Sequence, residues 1–138
     1  MSNRVRMAMA GVAGLGSALL VVAAIELVAH AVYAPSVMPD ISTPEAMAAY
    51  VGSMPLGAFM FVLAAYVAGT VVGGFVGIAI ARRHAMRFAA LAGGLILFAS
   101  IANFVAAPHP TWFVVATLID VPLAAWLTGW TGRAWAPA

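Results

Sequence analysis

Residues 55–83 read PLGAFMFVLAAYVAGTVVGGFVGIAIARR, and this stretch decides the fold. No side chain between Pro55 and Ala81 is charged, and two arginines close the run. A hydrocarbon core about 30 Å thick is crossed by about 20 apolar residues in a helix, so the run is long enough to span and to tilt. Nothing else in the chain has the polar mass to hide such a helix from water. Of 138 residues, 65% are hydrophobic and 7% charged, and mean hydropathy is +1.08. Soluble domains are about a quarter charged.

Working outward, three further apolar runs are predicted to span: about 7–33, about 86–107 and about 111–131, beside 55–81 itself. The expected fold is all-α, a single four-span membrane domain over 1–138 forming a four-helix bundle. The connections are a loop at 35–54, a basic turn at Arg82 to Ala85 and a rigid turn at Pro108-His109-Pro110. Arg4 and Arg6 precede the first span, Arg82, Arg83 and Arg87 lie between the second and third, and Arg133 follows the fourth. All six basic residues therefore fall on one side, which the positive-inside rule makes cytoplasmic. Both termini are expected inside, in the cytoplasmic (inner) membrane of a bacterium. Tyr33, Tyr50 and Trp112 then form the outer aromatic belt, and Trp130 and Trp135 the inner one. Arg4, Arg6 and Ala29-His30-Ala31 imitate a cleaved signal peptide, but the apolar run outlasts the ~7–15 residues of a signal core. A retained helix is expected.

The absence of cysteine removes disulfides, thiolate metal sites and thiol catalysis. Six basic residues in short clusters are too few to track nucleic acid, despite a pI near 9.7. In the outer loop, Asp40-Ile41-Ser42-Thr43-Pro44-Glu45 offers two helix starts: Thr43 as cap with Pro44 at the first helical position, or a Ser42/Glu45 capping box. A short helix over Ala46 to Val51 follows, with Met47, Tyr50, Val51 and Met54 as its apolar face and a role as lid over the helix ends.

Small residues recur at every fourth position of the second span: Ala65, Gly69, Gly73, Gly77 and Ala81. They share nearly one face and let another helix approach closely, from this chain or from a second copy. A homo-oligomer is expected, with a dimer favoured because two-fold assemblies dominate.

Chemistry, if any, rests with ionisable residues placed where lipid opposes them. A carboxylate facing hydrocarbon costs about 2.5–3.5 kcal/mol, so Glu26 and Asp120 are expected to point inward. Glu26 and His30 lie one helical turn apart on one face. His109 sits in the turn before the fourth span, and Asp120 lies ~14 Å deeper by helical rise. Ser100, Asn103 and Thr117 are the supporting polar residues, and Pro122 is expected to kink the fourth helix and free the carbonyl of Leu118.

Three accounts compete. In the plainest, the histidines meet headgroups, Glu26 is protonated or pairs with His30, and Asp120 hydrogen-bonds to a neighbouring helix; a separate alternative is a structural or accessory subunit docking through the Gly69/Gly73/Gly77 face. In the second, Glu26, His30 and His109 supply three ligands of the kind zinc, iron or manganese accepts, with Asp120 as a fourth or as a support. In the third, the same groups step inward as a proton or cation path. The expected function is therefore an outward-facing pocket of Glu26, His30, His109 and Asp120 that binds a divalent metal or a proton, for transport or sensing. An enzyme acting on a lipid or quinone ranks last, because no nucleophile with a matching base is evident.

Glu26-x-x-x-His30, the loop with Asp40 and Pro44-Glu45, Pro55, and Pro108-His109-Pro110-x-Trp112 together resemble a group of small, uncharacterised four-helix bacterial membrane proteins. The resemblance implies a four-span bundle and no particular activity. Small multidrug transporters share the size and a first-helix carboxylate. Here, however, that carboxylate lies near the outer end, and a second acid stands in the fourth span.

Overall fold

The computed structural model describes residues 2–136. It is all-helical, with α1 (Asn3–Tyr33), α2 (Pro44–Ser53), α3 (Leu56–Ala81), α4 (Ala85–Ala106) and α5 (Thr111–Gly132). All but α2 are long and apolar enough to cross a membrane. Three of these four helices end within a residue of the apolar runs. The exception is α1, which starts earlier, at Asn3, because the Ser2 side chain accepts from the Val5 amide and caps it. Of the two starts offered for α2, the structure takes the first. Thr43 Oγ1 accepts from the Ala46 amide at 3.2 Å, and Pro44 occupies the first helical position, where no amide donor is needed. In the preceding loop, Asp40 Oδ1 accepts from the Ser42 amide at 2.9 Å, and these Ser42 hydrogen bonds hold its carboxyl below the usual range.

The glycine face of α3 is filled from within the chain. A Cβ on Gly73 would stand 2.6 Å from Ala18 Cβ and 2.7 Å from the Gly14 carbonyl oxygen, both on α1. One on Gly69 would stand 2.9 Å from the Ala18 carbonyl oxygen. The same rows therefore seat α1 antiparallel on α3, backbone against backbone. Gly77 gives its space to Phe88 of α4, and Gly74 to Ala89 and Thr128. A partner docking on Gly69, Gly73 and Gly77 would meet α1 and Phe88 already there.

Small residues set the other contacts too. Gly93 of α4 accommodates Ala125 of α5, and Gly129 of α5 accommodates Met86 of α4. Central α3 touches α1, α4 and α5, α4 touches all three of its long neighbours, and α1 packs on α3 and α4. Helix α5 runs unbroken through Pro122. The buried Thr70 hydroxyl on α3 has no hydrogen-bond partner among the described residues.

This alternation gathers every arginine at one end. The α3–α4 turn there is tight: Arg82 and His84 both take the left-handed conformation, φ 54°. The Arg83 Nε–H donates to His84 Nε2 at 3.0 Å. Desolvation, reinforced by the guanidinium groups of Arg83 and Arg87, holds the His84 imidazole below its ordinary value.

Candidate functional site

At the opposite end, the C-termini of α1 and α4 and the N-termini of α3 and α5 surround a cavity of ≈ 390 Å³. Its position follows from the packing already described. Glycine contacts hold α1 against α3 along the middle of both helices. Nearer this end α1 meets α3 through a large side chain: Tyr33 lies edge-on to Phe61 at 5.8 Å and its phenol takes the space beside Gly57. Helix α2 covers the cavity from the connection between α1 and α3. Its Met47 and Val51, with Met54 just beyond it, pack on the cluster that contains Phe59, Tyr66 and Phe113. The amphipathic face expected of this helix is therefore the lid of the cavity.

Glu26 and His30 reach the cavity from α1, Asn103 from α4, and His109 from the turn before α5. His109 is held by hydrogen bonds and by its ring. Its Nδ1–H donates to the Ala107 carbonyl at 2.7 Å, which leaves Nε2, in the neutral ring, to accept from Asn103 Nδ2 at 3.5 Å. The ring stacks on Phe113 at 5.7 Å and 22°, and meets the edge of Phe104 at 5.1 Å. The two flanking prolines, expected to make the turn rigid, thus aim an oriented imidazole at the cavity. Glu26 is the one acidic side chain on the wall among the described residues, and no arginine lines it.

The remaining candidates lie elsewhere. Asp120 is half-buried on α5 and is not part of the cavity wall, so the four-residue pocket loses its deepest member. Thr117 is buried and donates its hydroxyl to the Phe113 carbonyl at 2.9 Å, within its own helix. Ser100, also buried, donates to the Ile96 carbonyl at 2.8 Å and stands behind the wall, next to Tyr66. Among the described residues, no group of three or more histidine, aspartate or glutamate side chains is close enough to hold a metal ion.

Three tyrosines were not anticipated as site residues. Tyr33 and Tyr50 line the cavity rather than serving only as an aromatic belt. Tyr66, 7% exposed, places its phenol beside Ser100 and Asn103 and within the field of Glu26. A signal for Tyr66 existed: a phenol in the middle of an otherwise apolar span must find a polar partner when buried.

Compared with known proteins, the chain matches no family model, no curated protein and no solved structure.

Proposed function

We propose that this cavity binds a cation, in transport or in sensing, with Glu26 as the counter-charge. The observation that supports it most is the convergence of Glu26, His30, Asn103 and His109 on one space that has a single carboxylate and no arginine on its wall. A carboxylate on a mostly apolar cavity wall that no arginine lines is stabilised by taking up a cation or a proton. Binding of a bare divalent ion would need Glu26, His30 and His109 to close on it. That makes zinc, iron or manganese one arm of the test rather than its premise.

The proposed setting is the bacterial inner membrane, with both termini cytoplasmic and the cavity opening outward. The support is that every arginine lies at the far end of the helices from the cavity. Because the chain has no cysteine, single substitutions Ser36→Cys and Ala134→Cys can be labelled in intact cells with an impermeant maleimide. Labelling of the Ala134→Cys variant, with Ser36→Cys silent, would reverse the orientation.

Cation binding is tested on purified protein by thermal unfolding at fixed pH, with sodium, manganese, zinc and choline added in turn. At least one should raise Tm in the native protein and leave Glu26→Gln unmoved. If no cation shifts the native protein, or if the shift persists in Glu26→Gln, the reading fails. Ion-dependent currents in proteoliposomes then separate transport from sensing.

A further inference from the structure

The cavity is far larger than a dehydrated ion, and its wall is mostly apolar. Pockets of roughly 300–1,000 Å³ suit small organic ligands, and at ≈ 390 Å³ this one falls in that range. Met47, Met54, Phe59, Val62, Tyr66 and Phe113 offer thioether, aliphatic and aromatic surface. Stripping the hydration shell from a metal ion gains nothing against such a wall. An organic cation gains, because its hydrocarbon body leaves water while its charge stays beside the one carboxylate of the wall.

The polar groups lie toward one side of the cavity. Glu26 is about two turns below the end of α1, and Asn103 one turn below the end of α4. Both line the cavity and both remain exposed. Two exposed side chains that line the cavity thus flank the boundary between α1 and α4, at the depth where a chain that spans a membrane meets acyl tails. A charged group entering there passes Glu26 first, and an apolar body continues toward Phe59 and Phe113.

Resting on the cation-binding reading above, we propose that the ligand is an amphiphilic organic cation: an amine or quaternary ammonium joined to an apolar, preferably aromatic, body. It enters from the side, between α1 and α4. The ammonium pairs with Glu26, and the body packs under the α2 lid. His109, fixed by Ala107 and Asn103, forms the polar rim and supplies no counter-charge.

The test uses calorimetric titration of the full chain in non-ionic micelles with three probes: benzyltrimethylammonium, tetramethylammonium and manganese(II). Benzyltrimethylammonium should bind on the order of tenfold more tightly than tetramethylammonium, since only the first carries an aromatic body. Glu26→Gln should weaken it by a further factor of about ten or more, through loss of the ion pair. Ala106→Trp fills the mouth from α4 without touching the charge, and should abolish binding while Tm is retained. If manganese or tetramethylammonium binds as tightly as benzyltrimethylammonium and depends on Glu26, the cation reading stands and the amphiphile proposal is overturned. If none of the probes binds, or binding ignores Glu26→Gln, both fall. Binding that survives Ala106→Trp puts the ligand elsewhere and also overturns the proposal.

Discussion

Replacing Gly73 by alanine adds one methyl group where α1 packs backbone to backbone on α3. That methyl would lie 2.6 Å from Ala18 Cβ, 2.7 Å from the Gly14 carbonyl oxygen and 3.2 Å from Ala18 Cα. Carbon atoms in contact settle at about 3.5–4.0 Å, so the shortfall is close to 1 Å. Two of the three obstacles are backbone atoms, which no rotamer change can move. The helices must therefore separate along the shared rows, and overpacking of this kind costs ~1–3 kcal/mol. Alanine also gains up to ~1 kcal/mol of helix propensity over glycine, which would blur a single measurement.

Gly16→Ala supplies the control. Gly16 lies on α1 with nothing within 4 Å of an added Cβ, so it collects the propensity gain without the clash. Subtracting one variant from the other cancels propensity and isolates the clash. The two should differ by ~1–3 kcal/mol, about 5- to 150-fold in the unfolding constant. Reversible unfolding by dodecyl sulfate in mixed micelles, followed by tryptophan fluorescence, gives both values. Gly14→Ala, facing the same contact from α1, should cost about as much as Gly73→Ala. The double variant should cost less than the sum, because helices already parted meet the second methyl with less resistance. Equal stabilities for Gly73→Ala and Gly16→Ala would show that α1 does not lie in this groove.

Other outcomes follow from single contacts. Thr70→Val replaces a buried, unpartnered hydroxyl with a methyl and should stabilise by about 1 kcal/mol in the same unfolding assay. Arg82→Gly should gain up to ~1 kcal/mol, because Arg82 holds a left-handed φ of 54° that glycine adopts freely. Thr43→Ala removes the cap of α2 and should loosen the lid by ~1 kcal/mol, seen as faster amide exchange over residues 44–53 with α3 unchanged. His84 titrates below its ordinary value when folded, so the unfolded chain takes up its proton first. The contribution of His84 is complete above about pH 6.5 and is lost as pH falls below that value toward the folded pKa. Tm measured from pH 7.5 to 5 should show this fall in the native protein, and His84→Gln should flatten it.

Much of the architecture was legible in the linear chain, because its causes are local. A run such as 55–81 carries its own solvent preference, and Thr43-Pro44 supplies a cap and a first helical position from its own chemistry. The face of α2 was equally readable: Met47, Tyr50, Val51 and Met54 recur at helical spacing, and all four line the cavity. The candidate site was legible only in part. Glu26, His30, Asn103 and His109 attracted notice as polar residues among apolar ones, and they do meet. Asp120 attracted notice for the same reason and does not join them. Tyr66 attracted none, since a lone phenol in a span carries less apparent cost than a carboxylate.

The difference lies in what sets each feature. Four long apolar helices, a capped short one and arginines confined to one end follow from burial and charge read along a single segment. Which residues share a cavity depends on how each helix is rotated about its axis and slid along its neighbour. Those two quantities come from the mutual fit of Gly14, Ala18, Gly69 and Gly73, and from Gly93 against Ala125, contacts between residues far apart in the chain. Close packing admits few such fits, and only the folded structure selects one, bringing Glu26 onto the cavity wall and leaving Asp120 off it.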